Sequence, residues 1–233
     1  MTTAEEDVIR AECEEWASGM HYPLTDETQK ALRERVCANP EAWWRILQRL
    51  IVEAPDEDYV WKLSFAPLRM TLECGDDALF GEAVMLAKSN TRMASALIDG
   101  FPGNKDENLI NLLGRDYVGR TYLRGRTDPF GFWAWLLVEQ LVRADSEAAW
   151  TMILDLIERA PDDETLGYVA AGPLEDFIMF NAAEFIDRIE AAAAIHIRFK
   201  EALAGVWINR LPPDLFDRVE AAAGVALDRP DSI

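Results

Sequence analysis

Histidine is nearly missing from this chain. His21 and His196 are the only two, and they cannot supply an H-x-x-x-H or H-E-x-x-H spacing. A zinc site therefore lacks its nitrogen ligands. Cysteine is also scarce: Cys13, Cys37 and Cys74 are odd in number, scattered, and form no C-x-x-C pair. They are expected to be reduced, buried thiols, not a disulfide framework or a metal site. Charged residues interrupt every apolar run before it reaches bilayer length, so no membrane association is expected. A G-x-S-x-G elbow, a glycine-rich phosphate loop and a Cys–His signature are all absent. Carboxylates are so numerous that spacing alone nominates no acid–base pair. The sequence thus predicts no catalytic residue, no metal and no cofactor.

Basic residues are in deficit, 23 Lys and Arg against 42 Asp and Glu, for a formal net charge of −19. That balance opposes direct nucleic-acid binding and adhesion to anionic membrane, because both need positive charge. It suits a basic protein partner, whose approach an acidic surface would steer. Solubility explains the same charge in many proteins and carries the greater weight. The start, Met1-Thr2-Thr3-Ala4-Glu5-Glu6-Asp7, lacks the basic and apolar stretches of a secretory signal, so a cytoplasmic location is expected.

What the chain does have is one pattern written twice. Glu41-Ala42-x-Trp44 returns as Glu147-Ala148-x-Trp150, and Ala54-Pro55-Asp56 as Ala160-Pro161-Asp162. Pro67-Leu68 returns as Pro173-Leu174, and Arg92-x-x-x-Ala96-Leu97 as Arg198-x-x-x-Ala202-Leu203. Each pair is 106 residues apart, and 14 of the 57 positions in windows 41–97 and 147–203 are identical without a gap. Chance would give roughly four. Such repetition is read before anything else because it sets the architecture.

Periodicity is helical nearly throughout. Trp43, Leu47, Leu50 and Ala54 form one stripe, and Trp150, Ile153, Leu154 and Ile157 another. Alternating β-branched runs and Asn-Gly or Asp-Gly turns are lacking, so strands are not expected. With 50% hydrophobic residues and 8 Trp, the chain can fill a real core. The expected fold is all-α: a multi-helix duplicated scaffold, solenoid-like or a pseudo-twofold bundle. One domain is expected over 1–233, with N-terminal helices at 1–40, repeat 1 at 41–98, a connecting segment and buried helix at 99–146, repeat 2 at 147–223 and a tail at 224–233.

Punctuation refines this. Asn39-Pro40-Glu41 reads as a cap, a first-turn proline and a first-turn acid. Asp56 and Asp162 are expected to cap the next helix in each repeat. Pro67 and Pro173 sit where a proline can open a helix but could not lie inside one. Asp76 and Asn181 are expected to introduce helices near 77–89 and 182–194. Residues 99–104 read as a loop. Residues 115–126 carry four arginines and one acid, which raises a phosphate or nucleic-acid reading. Structural pairing of Arg120 and Arg124, one turn apart, with nearby acids is preferred. Pro129 to Leu137 opens a helix apolar almost all round, expected to be buried, with the tail frayed.

The sharpest motif is Ala171-Gly172-Pro173-Leu174-Glu175-Asp176, followed by Ala202-Leu203-Ala204-Gly205-Val206-Trp207. The combination resembles a bacterial domain of unknown function whose members share A-G-P-L-E-D and A-L-x-G-V-W elements. The likeness covers residues 147–220 and is weak in the first repeat, where Phe65-Ala66-Pro67-Leu68-Arg69-Met70 replaces the acidic element. It implies a small cytoplasmic helical protein and no activity.

Two candidate surfaces follow. Glu175 and Asp176 fall in a first helical turn, where free N–H groups and the dipole welcome a carboxylate. With Glu190 and Arg198 they could form an ion network or an acidic recess for a cation or small ligand. Asp56, Glu57 and Asp58, with their equivalents Asp162, Asp163 and Glu164, could form two anionic lips for a basic partner. The main expectation is a non-catalytic protein-binding protein, in its narrowest form an immunity- or antitoxin-like inhibitor of a basic protein. The alternative is a ligand-binding protein or enzyme working through the recess.

Overall fold

The computed structural model describes residues 3–19, 25–100, 106–125, 128–208 and 211–228, and every regular element among them is helical. His21, Arg126, residues 101–104 of the expected loop and the last residues of the tail lie outside them. The chain divides into two compact units, Met1–Ala134 and Trp135–Ile233, the division falling within the expected connecting segment. Among the described residues no helix is long and apolar enough to cross a membrane.

The first unit runs through α1 (Thr3–Ala17), α2 (Asp26–Ala38), α3 (Pro40–Val52) and α4 (Glu57–Leu63). A π turn over Ser64–Leu68 leads into α5 (Arg69–Cys74), then α6 (Asp77–Ala87), α7 (Thr91–Gly100), α8 (Asp106–Leu113) and α9 (Arg115–Arg124). Side-chain caps start many of these helices. Asn39 accepts from the Ala42 N–H at 3.3 Å, Asp56 from Tyr59 at 2.8 Å and Asp76 from Leu79 at 3.0 Å. Each satisfies a donor the helix itself leaves orphaned. The apolar stripe of α3 buries Trp43, Trp44, Ile46, Leu47 and Ile51 against Leu63, Leu68 and Leu97 of the same unit's core.

Two expectations change here. Cys37 and Cys74 are not reduced thiols: they form a disulfide joining the end of α2 to the end of α5, with Cα atoms 5.1 Å apart. Their 37-residue separation hid the pairing, since only the packing of α2 on α5 brings them together. Cys13 alone stays a buried thiol. Asp99 and Gly100 belong to the last turn of α7, not to a loop. Gly100 is required there by space, because a Cβ would sit 3.1 Å from the Ser64 carbonyl oxygen.

The division falls inside α10 (Phe132–Ala144), preceded by a 3₁₀ turn at Pro129–Gly131. Its buried-all-round reading is too strong, because Phe132 is 54% exposed. The second unit continues with α11 (Ser146–Arg159), α12 (Asp163–Val169), a π turn over Ala170–Leu174, α13 (Glu175–Ile195), α14 (Ile197–Leu203) and α15 (Pro213–Ala223). Asn181 opens no helix. It lies inside α13 and donates to the Val142 carbonyl at 3.2 Å. The core centres on Trp150, whose ring meets Phe177, Phe185 and Phe199 at centroid distances of 5.5, 5.9 and 5.5 Å. Such aromatic pairs add to plain area burial.

Both prolines expected to open helices instead lie within π turns. Inside an α-helix a proline clashes with the preceding turn. Here one extra residue widens the turn: the Arg69 N–H reaches back to the Ser64 carbonyl and the Glu175 N–H to that of Ala170, five residues each. The two turns start 106 residues apart, as do α3 and α11, α4 and α12, and α7 and α14.

Candidate functional site

Although Gly172 kinks the chain within the second π turn, the N–H of Glu175 still reaches the Ala170 carbonyl. Glu175 and Asp176 do open α13 as its first-turn acids, but the Glu175 N–H is not a free donor there. The Glu175 carboxylate does something else: its Oε2 accepts the backbone N–H of Trp207 at 3.0 Å. The A-G-P-L-E-D and A-L-x-G-V-W segments thus meet in space. Burial pushes the Glu175 carboxyl up, the Trp207 hydrogen bond opposes this, and Asp176 reinforces it. Asp176 is likewise raised by burial and by Glu139, against the pull of Arg143.

The recess drawn from Glu175, Asp176, Glu190 and Arg198 does not form. Glu175 and Glu190 are both on α13, fifteen residues apart, which at 1.5 Å per residue is about 22 Å. Glu190 pairs instead with Arg218 of α15 at 2.7 Å, and the guanidinium also reaches Asp187 at 2.6 Å. That partner holds the Glu190 carboxyl below the usual range. Arg198 donates to the Ala160 carbonyl at 2.7 Å and pairs with Asp163 at 3.2 Å. Sequence spacing could not assign these partners, since carboxylates are everywhere.

The acidic triplets divide by role. Asp56 and Asp162 are helix caps, the latter accepting from Thr165 at 2.7 Å. Asp58 pairs with Lys62 at 2.5 Å. Glu57 is raised by burial and by Asp128. Glu164 is exposed, and Asp163 stands almost free in water at 97% side-chain exposure while pairing with Arg198. His196 sits at the junction between α13 and α14.

Two residues before Trp207, Gly205 lines a groove of about 450 Å³. Asp163, Leu166, Gly167 and Ala170 form one wall; Glu201, Ala202, Ala204 and Gly205 form the other. Its width comes from small residues. Gly167 faces open space, and a Cβ on Gly205 would sit 3.3 Å from Ala170 Cβ. The lining includes two carboxylates, Asp163 and Glu201, and Arg198 pairs with both, at 3.2 and 3.9 Å. Trp207 itself is 60% exposed, and Ile195 and Ile197 at the α13–α14 junction are about three-quarters exposed. At the position of the first unit 106 residues before Gly167 stands Trp61, stacked on Phe65 at 5.8 Å. Sequence reasoning placed Trp207 in the A-L-x-G-V-W element but not among the candidate site residues, and the groove went unforeseen.

Among the described residues no group of three or more His, Cys, Asp and Glu is placed to hold a metal ion. Residues 123–226 match the model of a family of unknown function, DUF6869, and this span contains the 147–220 region that carried the resemblance. No curated protein matches the chain, and no solved structure does.

Proposed function

We propose that this is a non-catalytic protein-binding protein whose second unit receives a basic segment of a partner. The observation that carries the reading is Trp207, an exposed indole whose backbone N–H is held by Glu175, two residues along the chain from Gly205 in the lining of a groove that also holds Asp163 and Glu201. Tryptophan is among the residues that dominate interface energies, provided it is held still. A partner segment with a small apolar side chain for the groove and a Lys or Arg for Asp163 and Glu201 fits this chemistry. The −19 charge would speed such an encounter. An immunity-like inhibitor of a basic protein is the narrower form, and the same acidity supports it.

The scaffold beneath is read as a duplication. Arg92 donates to the Ala54 carbonyl at 3.0 Å and Arg198 to that of Ala160, two copies of one hydrogen bond 106 residues apart. The Asn39 and Asp145 caps and the paired π turns keep the same spacing. The second copy differs by leaving the Gly167 position empty of a side chain, which fits the binding role to that copy.

The test is affinity capture from the native host with wild-type protein, Trp207→Ala and the double charge reversal Asp163→Arg/Glu201→Arg. A stoichiometric basic partner that both variants lose, and that releases with salt, supports the reading. Equal recovery of every captured protein by all three sinks it.

A further inference from the structure

The first unit holds a second pocket of opposite character. About 220 Å³ in volume, it is lined by Lys88, Thr91, Tyr117, Arg120, Thr121 and Arg124, with Asp128 as its one acid. Three cations against one carboxylate is an inversion of the chain's overall balance. The local structure explains how they converge. Tyr117, Arg120, Thr121 and Arg124 recur at three- and four-residue spacing and so share one face of α9. Lys88 closes α6 as its C-cap, and Thr91 opens α7, whose first turn is capped by Asn90 accepting from Met93 at 3.0 Å. The positive end of the α7 dipole therefore adds to the pocket.

Two acids, Asp128 and Asp116, stand beside these cations. Asp128 accepts the Phe130 N–H at 3.0 Å and keeps its charge, so the lining still holds three cations against one acid. Asp116 pairs with Arg120 at 3.0 Å, but both side chains are more than half exposed, where such a pair is weak and easily exchanged. Lys88 makes no ion pair among the described residues. The Tyr117 hydroxyl oxygen is shielded from water, and burial, followed by Asp128, raises it, so it stays protonated as a donor. At the positions 106 residues on, Ala194 and Ile197 stand in place of Lys88 and Thr91, so the pocket has no counterpart in the second unit.

We infer that this pocket binds a phosphate group, free or on a small organic monoester. Two guanidinium forks, an ammonium and hydroxyl donors are the groups that recognise tetrahedral oxyanions. The small volume and the −19 charge disfavour a polyanionic strand, whose neighbouring phosphates would meet acid.

The experiment is isothermal titration of the full chain with inorganic phosphate and with phenyl phosphate, at matched ionic strength. Saturable single-site binding of either probe is expected. Removing one charged donor should weaken it roughly tenfold, so Lys88→Gln/Arg124→Gln should nearly abolish it. Arg124→Lys should fall between, keeping charge without the fork, and Arg69→Gln on distant α5 should bind normally. Circular dichroism and melting checks each variant's fold, which these exposed positions leave intact. Tighter binding of phenyl phosphate would mark a monoester as the ligand, and equal binding the free anion. Absence of saturation with both probes, or undiminished binding by the double variant, overturns the inference.

Discussion

Arg198 donates to the carbonyl oxygen of Ala160 at 2.7 Å, tying the start of α14 to the loop that closes α11. The acceptor is buried and Pro161 follows it, so no local N–H replaces the guanidinium. Truncating Arg198→Ala leaves that oxygen without its partner, which should cost about 1–3 kcal/mol. Chemical denaturation measures this. Asp163→Ala is the control: Asp163 is almost fully exposed, and its loss should cost no more than about 0.5 kcal/mol.

Two tryptophans of the second unit should separate stability from binding. Trp150 is buried among three phenylalanines, and Trp150→Ala should destabilise by about 3–5 kcal/mol. Trp207 is exposed, so Trp207→Ala should change folding by only about 0.5 kcal/mol. If the proposed interface is right, the same change should weaken a partner by about 2 kcal/mol or more. Melting curves and calorimetry on one pair of proteins would show the split.

Asp99 gives the first unit a pH dependence. Burial pushes its carboxyl up from 3.8 to about 6, with Glu57 adding to the rise and Ser95 opposing it. A raised carboxylate holds its proton more tightly when folded, so between about pH 4 and 6 the folded chain binds more protons than the unfolded one. Stability from this group therefore falls as pH rises through that window. Asp99→Asn should remove the slope and stabilise the protein at pH 7 by about 1–3 kcal/mol. Denaturation of both proteins across pH 4 to 8 checks the sign. A variant no more stable than wild type at neutral pH would contradict it.

The Cys37–Cys74 bridge closes a 37-residue segment. On the chain-entropy account such a loop stabilises by about 3–4 kcal/mol, so a reductant, or Cys37→Ser, should lower the denaturation midpoint. Under native conditions without reductant, alkylation should modify no cysteine, since Cys13 is buried and its thiol is raised by burial and by Glu12 and Glu14. Unfolding without reductant should then expose one thiol, which intact mass spectrometry counts.

Much of the fold was legible because its signals are local. Caps such as Asp56, Asp76 and Asp162 announce themselves by residue type, and the stripes of α3 and α11 by period. What failed was decided at long range. Nothing near Asn181 says that α13 continues through it, whereas the equivalent Gly75-Asp76 breaks α5 from α6. Glu190 found Arg218 twenty-eight residues away, with Arg198 much nearer in sequence. The exposure of Trp207 was not legible, because exposure is a property of packing and not of residue type. Glu175 was singled out, but for the wrong donor.

The two π turns carry a consequence for how this protein tolerates change in length. Short irregular stretches ordinarily absorb an inserted or deleted residue with little harm. Here the irregular stretch, kinked at Gly172, runs from α12 straight into α13 with no loop between them, and one residue more or less would turn α13 about its axis by roughly 100°. Deleting a residue from 170–174 would swing Phe177 and Phe185 away from Trp150 and carry the Glu175 carboxylate off the Trp207 backbone in the same motion. Spacing between the helices is thus fixed to the single residue at the two places where the chain looks least regular.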